Sequence, residues 1–269
     1  MTGINQGVVF NVCRIKGIFS DKIGNEKRFS GTGFWVQESG SNYFVTNKNN
    51  LDPTVSFGDS TKLNLFELEI ELRNTINGQP IRKTKMFGLA DLTQIKVHDS
   101  ADVAIIKDPQ FTEDTGTYQA AGNFRKSDLA DAIFFKNHCN VMDVASFIGY
   151  PGTSKSQWWD TDWNLGIART VNIASLPQIP FSHSDVSTSE VCLVSGLSFS
   201  GSSGSVVLLH EKGVKPGHGL ENPSYSGPKI IGIMSGHWPL PDTTPDMFNH
   251  SGLSYFTRSI AILELLENA

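Results

Sequence analysis

Ser198-Phe-Ser-Gly-Ser-Ser-Gly-Ser-Val-Val207 is the stretch from which the rest of the chain is best understood. The glycines and the apolar run that follows them predict a tight loop that enters a buried strand. Gly201 and Gly204 permit a sharp turn that exposes Ser203, and the amides of Gly201 and Ser203 can then stabilise an oxyanion. Taken alone, the motif favours an ordinary Ser/Gly-rich surface loop, so its interpretation depends on the remaining sequence.

The composition is that of a globular chain with enough apolar bulk for a sizeable core. Of the 269 residues, 39% are hydrophobic and 10% aromatic, which argues against disorder. All-β barrels often reach this length as one unit, so length leaves the number of domains open. Only 18% of the residues are charged, the net charge is −5, and lysine and arginine are scattered. We therefore expect neither a nucleic acid nor a membrane as a partner.

The cysteines and the N-terminus indicate a reducing environment. Cys13, Cys139 and Cys192 lie far apart and form no Cys-x-x-Cys pair, which predicts buried thiols rather than a disulfide framework or a zinc site. The first residues contain no basic segment followed by a long apolar one, so no signal peptide is predicted. We expect a cytoplasmic protein with no metal and no other cofactor.

Short strands separated by turns dominate the sequence. Between Leu63 and Arg73 apolar side chains alternate with charged ones, which predicts a half-solvated strand with Glu71 and Arg73 on its solvent face. Only Ser259–Glu267 is convincingly helical, with its apolar residues spaced for one buried face. Two β-barrels of about six strands each would fit this pattern, with a break near residues 109–117.

Tryptophan is concentrated in one segment. Trp158, Trp159 and Trp163 fall in a stretch bounded by glycine and proline turns. Such clusters favour a loop that is pinned against a core over the wall of a ligand site.

Four motifs occur in the order found in trypsin-like serine proteases, which the chain resembles over nearly its whole length. They are Gly31-Thr-Gly-Phe-Trp-Val36, Tyr43-Phe-Val-Thr-Asn-Lys-Asn49, Asp102-Val-Ala-Ile-Ile106 and Gly201-Ser-Ser203-Gly-Ser-Val206. They resemble, in turn, the strand before the catalytic histidine, the segment that presents it, the strand of the catalytic aspartate and the nucleophile loop. Positions 49, 102 and 203 are separated by 53 and 101 residues. The resemblance is greatest to bacterial intracellular members that have no zymogen pro-segment.

The resemblance implies a chymotrypsin fold of two packed, six-stranded, antiparallel Greek-key barrels. It implies barrels at residues 1–112 and 113–258, and a helix at residues 259–269 packed on them. It implies Ser203 as the nucleophile, Asp102 as the orienting carboxylate, and the amides of Gly201 and Ser203 as the oxyanion hole.

The resemblance also implies a set of substrate-binding positions. They are Leu197, Ser235, Gly236 and His237. Leu197 in place of a carboxylate argues against a preference for arginine or lysine at the cleaved bond. An apolar or small residue is expected there instead.

Asn49 stands where the family has its catalytic histidine. An amide has no useful basicity near neutral pH, so it cannot accept the proton of Ser203. Three hypotheses follow: an inactivated variant of a protease, a natural pseudoprotease, or another histidine in the same role, with His237 at the edge of the cleft. The intact Asp102 and Ser203 motifs favour the first.

The predicted activity is that of a trypsin-like serine endopeptidase that cleaves a protein or peptide substrate through an acyl-enzyme. In this chain Asn49 is expected to prevent cleavage. The alternative is a pseudoprotease that acts as a peptide-binding or protein-binding module, and an esterase is a third possibility. Regulation without a pro-segment suggests an activating or regulatory protein partner.

Overall fold

The computed structural model describes residues 6–57, 62–77, 79–120, 124–152, 156–183, 188–213, 225–238 and 250–269. Strands account for most of the regular structure in these ranges. They form an N-terminal sheet and a C-terminal closed barrel, followed by a terminal helix. The predicted all-β fold is therefore confirmed.

The N-terminal half forms one nine-stranded sheet in the order β5-β4-β1-β2-β3-β7-β6, with β8 on β4 and β9 on β2. Its strands are β1 (Val12–Ser20), β2 (Glu26–Glu38), β3 (Ser41–Thr46), β4 (Asn64–Ile76), β5 (Gln79–Gly88), β6 (Ile95–Val97), β7 (Ala104–Lys107), β8 (Tyr118–Gln119) and β9 (Phe124–Arg125). The extra strands β8 and β9 lie beyond residue 112 yet still pair with this sheet.

The C-terminal half forms a closed barrel of six antiparallel strands in the order β10-β11-β12-β15-β14-β13. Its strands are β10 (Val144–Gly149), β11 (Ile167–Ile173), β12 (Val191–Ser195), β13 (Val206–Leu209), β14 (Lys229–His237) and β15 (Leu253–Arg258). Closure gives every strand a partner on both sides, although β11 meets β12 at two residue pairs and β14 continues past its pairing with β13.

Three α-helices lie in the described ranges: α1 (Pro53–Phe57), α2 (Ala132–His138) and α3 (Ser259–Glu267). Helix α3 has the predicted bounds and buries Ala261, Ile262 and Leu266. Four 3-10 turns accompany them at Gln6–Phe10, Lys48–Asn50, Leu92–Gln94 and Lys126–Asp128. Among the described helices, none has the length and apolar character needed to span a bilayer.

One apolar core joins the two halves of the chain. Phe34 and Val45 from the N-terminal sheet pack with Ile148 and Val206 from the barrel and with Ile262 of α3. The loops that leave these strands therefore meet at a single junction, where the candidate residues lie. The three cysteines are buried free thiols, as predicted.

The solvent face predicted for β4 is wrong at two positions. Glu71 and Arg73 are 3% and 4% exposed. Arg73 donates to the carbonyls of Trp163 (2.9 Å) and Asn164 (2.7 Å). The loop between β10 and β11 covers this part of the sheet, a contact that the period of one strand cannot reveal.

Candidate active site

The loop that carries Ser203 is clamped between the two halves of the chain. The Ser203 carbonyl accepts a hydrogen bond from the Thr32 amide (2.8 Å), and the Gly204 amide donates to the Met234 carbonyl (3.0 Å). Gly204 has φ +92°, and a Cβ there would lie 1.7 Å from the Thr32 carbonyl oxygen. Glycine is therefore required at this position on both conformational and steric grounds.

The amides of Gly201 and Ser203 are turned away from the scaffold. The Ser200 carbonyl accepts from the amide of Gly152 (2.7 Å), and the Ser202 carbonyl accepts from the amide of Ser205 (3.0 Å). In a trans peptide the following N–H points opposite to the carbonyl. Among the described residues these two N–H groups have no acceptor, which leaves both free to bind an anion.

Asn49 and Asp102 meet at the start of this junction. Asn49 lies in the 3-10 turn Lys48–Asn50, and its backbone amide donates to Asp102 Oδ1 (2.9 Å). Asn47 Nδ2 donates to the Asp102 carbonyl (2.7 Å) and to Ser235 Oγ (3.1 Å). The segment that carries Asn49 is thereby held against Asp102 from both sides.

The side chains of Asn49 and Ser203 both approach the carbonyl oxygen of Ser235. Asn49 Nδ2 lies 3.5 Å from it and Ser203 Oγ lies 3.4 Å from it, both in donor geometry. These contacts are long, but they share one acceptor, so residues that are 154 positions apart in sequence lie side by side. Asn49, Asp102 and Ser203 thus lie in one cluster.

The comparisons with known proteins concern the fold. Neither a protein-family model nor a curated protein sequence matches the chain. The crystal structure of Deg5 is similar at 12% identity and a TM-score of 0.51, over 96% of this chain and 88% of that one. A variant of the HtrA-type protease AlgW with a decapeptide is similar at 11% identity and a TM-score of 0.52, over 96% of this chain and 63% of that one. The chain has the trypsin-like serine-protease fold.

In this trypsin-like fold the Asp102 carboxylate carries a burial cost. Its side chain is 6% exposed, and burial raises its pKa to about 6. Hydrogen bonds from the Asn49 amide and the Ser235 side chain, and the charge of Lys48, oppose that rise. The loss of hydration of the charged carboxylate raises the pKa by more than these partners lower it.

Asp102→Asn should stabilise the chain in a pH-dependent way. The folded pKa lies above the value of an unfolded aspartate, about 3.9, so the carboxyl lowers the free energy of unfolding increasingly as the pH rises from about 4 to 6. The Asn amide oxygen can still accept from the Asn49 amide. We expect a gain that is small at pH 4 and on the order of 2–3 kcal/mol at pH 7. Urea unfolding at both pH values measures it, with exposed Asp99→Asn as the control, and a gain independent of pH would contradict the assignment.

A cavity of about 350 Å³ opens beside Ser203. It is lined by Ser235, Gly236 and His237, as predicted, and also by Ser198 and Tyr255. Leu197 is not part of the lining: its side chain is 49% exposed and its carbonyl accepts from Arg169 (3.2 Å).

Tyr255 is a lining residue that the sequence reasoning missed. It is the cross-strand partner of Gly236, and a Cβ at Gly236 would lie 2.7 Å from the Tyr255 hydroxyl oxygen. Its ring therefore occupies the space that a side chain at position 236 would fill. A glycine opposite an aromatic residue could have indicated this contact, but only the folded barrel shows that the two residues are cross-strand partners.

The tryptophan segment contacts the loop that carries Ser203. Trp159 is 8% exposed and packs on Tyr150, which confirms a loop pinned against the core. Trp158 and Trp163 are each 46% exposed, and Trp158 contacts Phe199 beside the cavity. Because the Gly152 amide in the same loop holds the Ser200 carbonyl, this segment helps to fix the backbone that precedes Gly201.

The described histidines offer no replacement for a base at position 49, and His218 lies outside the described residues. His98 is paired with Glu264 at 2.8 Å and His210 with Ser146 at 2.7 Å. Among the described histidines, His237 lines the same cavity as Ser203. The Ser203 hydroxyl donates to Ser235, however, and the His237 ring stacks on His250.

Proposed function

We propose that the chain is a serine-protease scaffold that binds an extended polypeptide beside a positioned but unactivated Ser203. The observation that carries this proposal is the convergence of Asn49 Nδ2 and Ser203 Oγ on the Ser235 carbonyl, next to buried Asp102. This is the arrangement a triad needs, with an amide where the base belongs.

The parent chemistry is acyl transfer to water. Ser203 Oγ would attack a peptide carbonyl, and an imidazole at position 49 would take its proton and return it to the leaving amine. Asp102 would orient that imidazole and stabilise its charged form. The unpaired amides of Gly201 and Ser203 would bind the oxyanion. Without a base at position 49, the first proton transfer has no acceptor.

The end of β14 supplies the surface for an extended chain. Strand β13 pairs with β14 only as far as Ile233, so among the described residues Gly236 and His237 have a strand partner, β15, on one side alone. A polypeptide can add to such an edge through main-chain hydrogen bonds. The similar AlgW structure contains a decapeptide, which favours the same class of ligand here.

The first candidate is thus an inactivated form of a protease. The second candidate is a natural pseudoprotease that binds polypeptide, and Asn49 favours it because the chain has no base at this position. Both candidates predict that the present chain captures an extended peptide and leaves it intact. They differ in whether the site can still be returned to catalysis by an imidazole at position 49.

Peptide capture without cleavage tests the binding proposal. We expect fluorescein-labelled extended decapeptides to bind the present chain by anisotropy and to remain intact by mass spectrometry after overnight incubation. Ser203→Ala should keep the dissociation constant within about twofold, because the half-buried Ser203 hydroxyl already donates to the Ser235 carbonyl and adds little to a main-chain interface. A decapeptide of the same sequence with N-methylated backbone amides, which cannot donate to the open edge, is the matched loss ligand. Absence of binding, or cleavage that depends on Ser203, would contradict the proposal.

A further inference from the structure

Two stacked imidazoles stand at the cavity beside Ser203. His237, at the end of β14, and His250, just before β15, have ring centroids 4.6 Å apart and ring planes within 16°. His237 lines the cavity and is exposed, whereas His250 lies behind it. The acyl-transfer chemistry uses neither ring, so the pair needs another explanation.

The position of His250 is set by the groups around its ring. The Gly252 amide donates to its Nδ1 (2.9 Å), so the neutral ring carries its proton on Nε2. Nε2 lies 3.3 Å from Ser254 Oγ, which can accept from it, and 3.2 Å from the Ser198 amide nitrogen. Protonation of Nδ1 would lose the bond from Gly252. His250 is therefore a neutral platform, and His237 is the ring of the pair that is available to a ligand.

The rest of the lining combines hydroxyl groups with the apolar side chains of Phe199 and Met234. The hydroxyls of Ser198 and Ser203 already donate to the carbonyls of Gly236 and Ser235. The described lining residues include no aspartate or glutamate, so a lysine or arginine side chain would meet no counter-charge. An apolar side chain would offer no acceptor to the Tyr255 hydroxyl or the His237 imidazole, which is costly. A carboxylate would accept from the Tyr255 hydroxyl and pair with a protonated imidazole.

We propose that this cavity receives an aspartate or glutamate side chain of the bound polypeptide, with His237 as its principal partner. The inference rests on the proposed polypeptide-binding function and specifies its substrate class. It replaces the apolar or small residue expected from Leu197, because the Leu197 side chain is outside the cavity lining.

The charged groups around the pair favour an anion at the cavity entrance. The Arg169 guanidinium of β11 lies 4.4 Å over the Phe199 ring, which forms part of the cavity wall. Tyr255 on β15 interacts with the negative charge of Asp102, which is buried on the N-terminal side. Burial and the negative charge of Asp102 both raise the pKa of Tyr255, so its hydroxyl remains protonated and able to donate.

The imidazoles make this recognition depend on pH. Burial lowers the pKa of His237, and burial together with the charge of His237 lowers the pKa of His250. The free pair is thus largely neutral at pH 7, and a bound carboxylate favours uptake of one proton. Affinity for an acidic peptide should therefore fall as the pH rises from 5.5 to 8, by at most about tenfold per pH unit.

The experiment uses alanine-rich decapeptides that each carry one Glu, Gln, Leu or Lys. This residue is moved along the peptide one position at a time. Anisotropy with the present chain is measured at pH 6 and pH 8. In one register we expect Glu to bind about tenfold more tightly than Gln at pH 6, with Lys weakest and the Glu-to-Gln ratio smaller at pH 8. The Gln peptide also reports any effect of Asp102 titration.

His237→Gln is the decisive variant, and His138→Gln on α2 is its control. His237→Gln should bring the Glu-to-Gln ratio close to one, whereas His138→Gln should leave it unchanged. An NMR titration of the His237 ring, whose pKa should rise when the Glu peptide binds, gives a second readout that needs no variant. If peptides bind but Leu equals or exceeds Glu at every register, or the ring pKa does not rise, the acidic preference is overturned and the binding function remains. If no peptide binds, both are overturned.

Discussion

Asn49→His should convert the chain into an active hydrolase. We expect the rate of casein hydrolysis to rise by about 10²- to 10⁴-fold, the usual contribution of a positioned general acid–base group. The backbone amide at position 49 already donates to Asp102, and the side chain already points to the Ser235 carbonyl beside Ser203. A new imidazole therefore enters a site that already holds the proposed nucleophile, orienting carboxylate and oxyanion donors.

Two control variants separate base catalysis from other gains. Asn49→Gln changes the size of the side chain without adding a base and should remain inactive. Asn49→His combined with Ser203→Ala should lose the gain, because the nucleophile is absent. A peptidyl phosphonate should label Asn49→His at Ser203, as located by peptide mapping, and should not label the present chain. A folded Asn49→His protein that forms no adduct would overturn the parent protease chemistry and leave a natural binding module.

Gly204→Ala should be among the most destabilising single substitutions in the chain. Its Cβ would lie 1.7 Å from the Thr32 carbonyl oxygen, a backbone atom, and φ +92° is unfavourable for alanine. Strain and overpacking together predict a loss of about 3–5 kcal/mol in the free energy of unfolding. Chemical denaturation measures it, and a large share of insoluble protein on expression would be consistent with that loss.

Gly40→Ala is the matched control for this prediction. Gly40 has nearly the same backbone conformation, φ +89°, but a Cβ there would meet nothing within 4 Å. Only the conformational cost of about 1–2 kcal/mol should apply. If Gly204→Ala costs no more than Gly40→Ala, the tight approach of the nucleophile loop to Thr32 is not a determinant of stability.

Local chemistry explains which features were predictable from the sequence. The glycines around Ser203, the apolar strand that follows them and the helix Ser259–Glu267 are determined by short-range conformational preferences and periodicity. The order of the Asn49, Asp102 and Ser203 motifs, together with the resemblance they carry, predicted the cluster. The absence of a base at position 49 is likewise evident from the residue alone.

Pairing between distant segments decided the remaining features. Glu71 and Arg73 alternate like solvent-facing residues, but a loop about 90 positions later covers them. Tyr255 enters the cavity because β14 and β15 change register between Met234 and Gly236. The sequence by itself determined the glycine-flanked serine loop, the terminal helix and the absence of a basic side chain at position 49. The tertiary structure alone decided the chemistry of the cavity, since that depends on which side chains of separate strands face the same space.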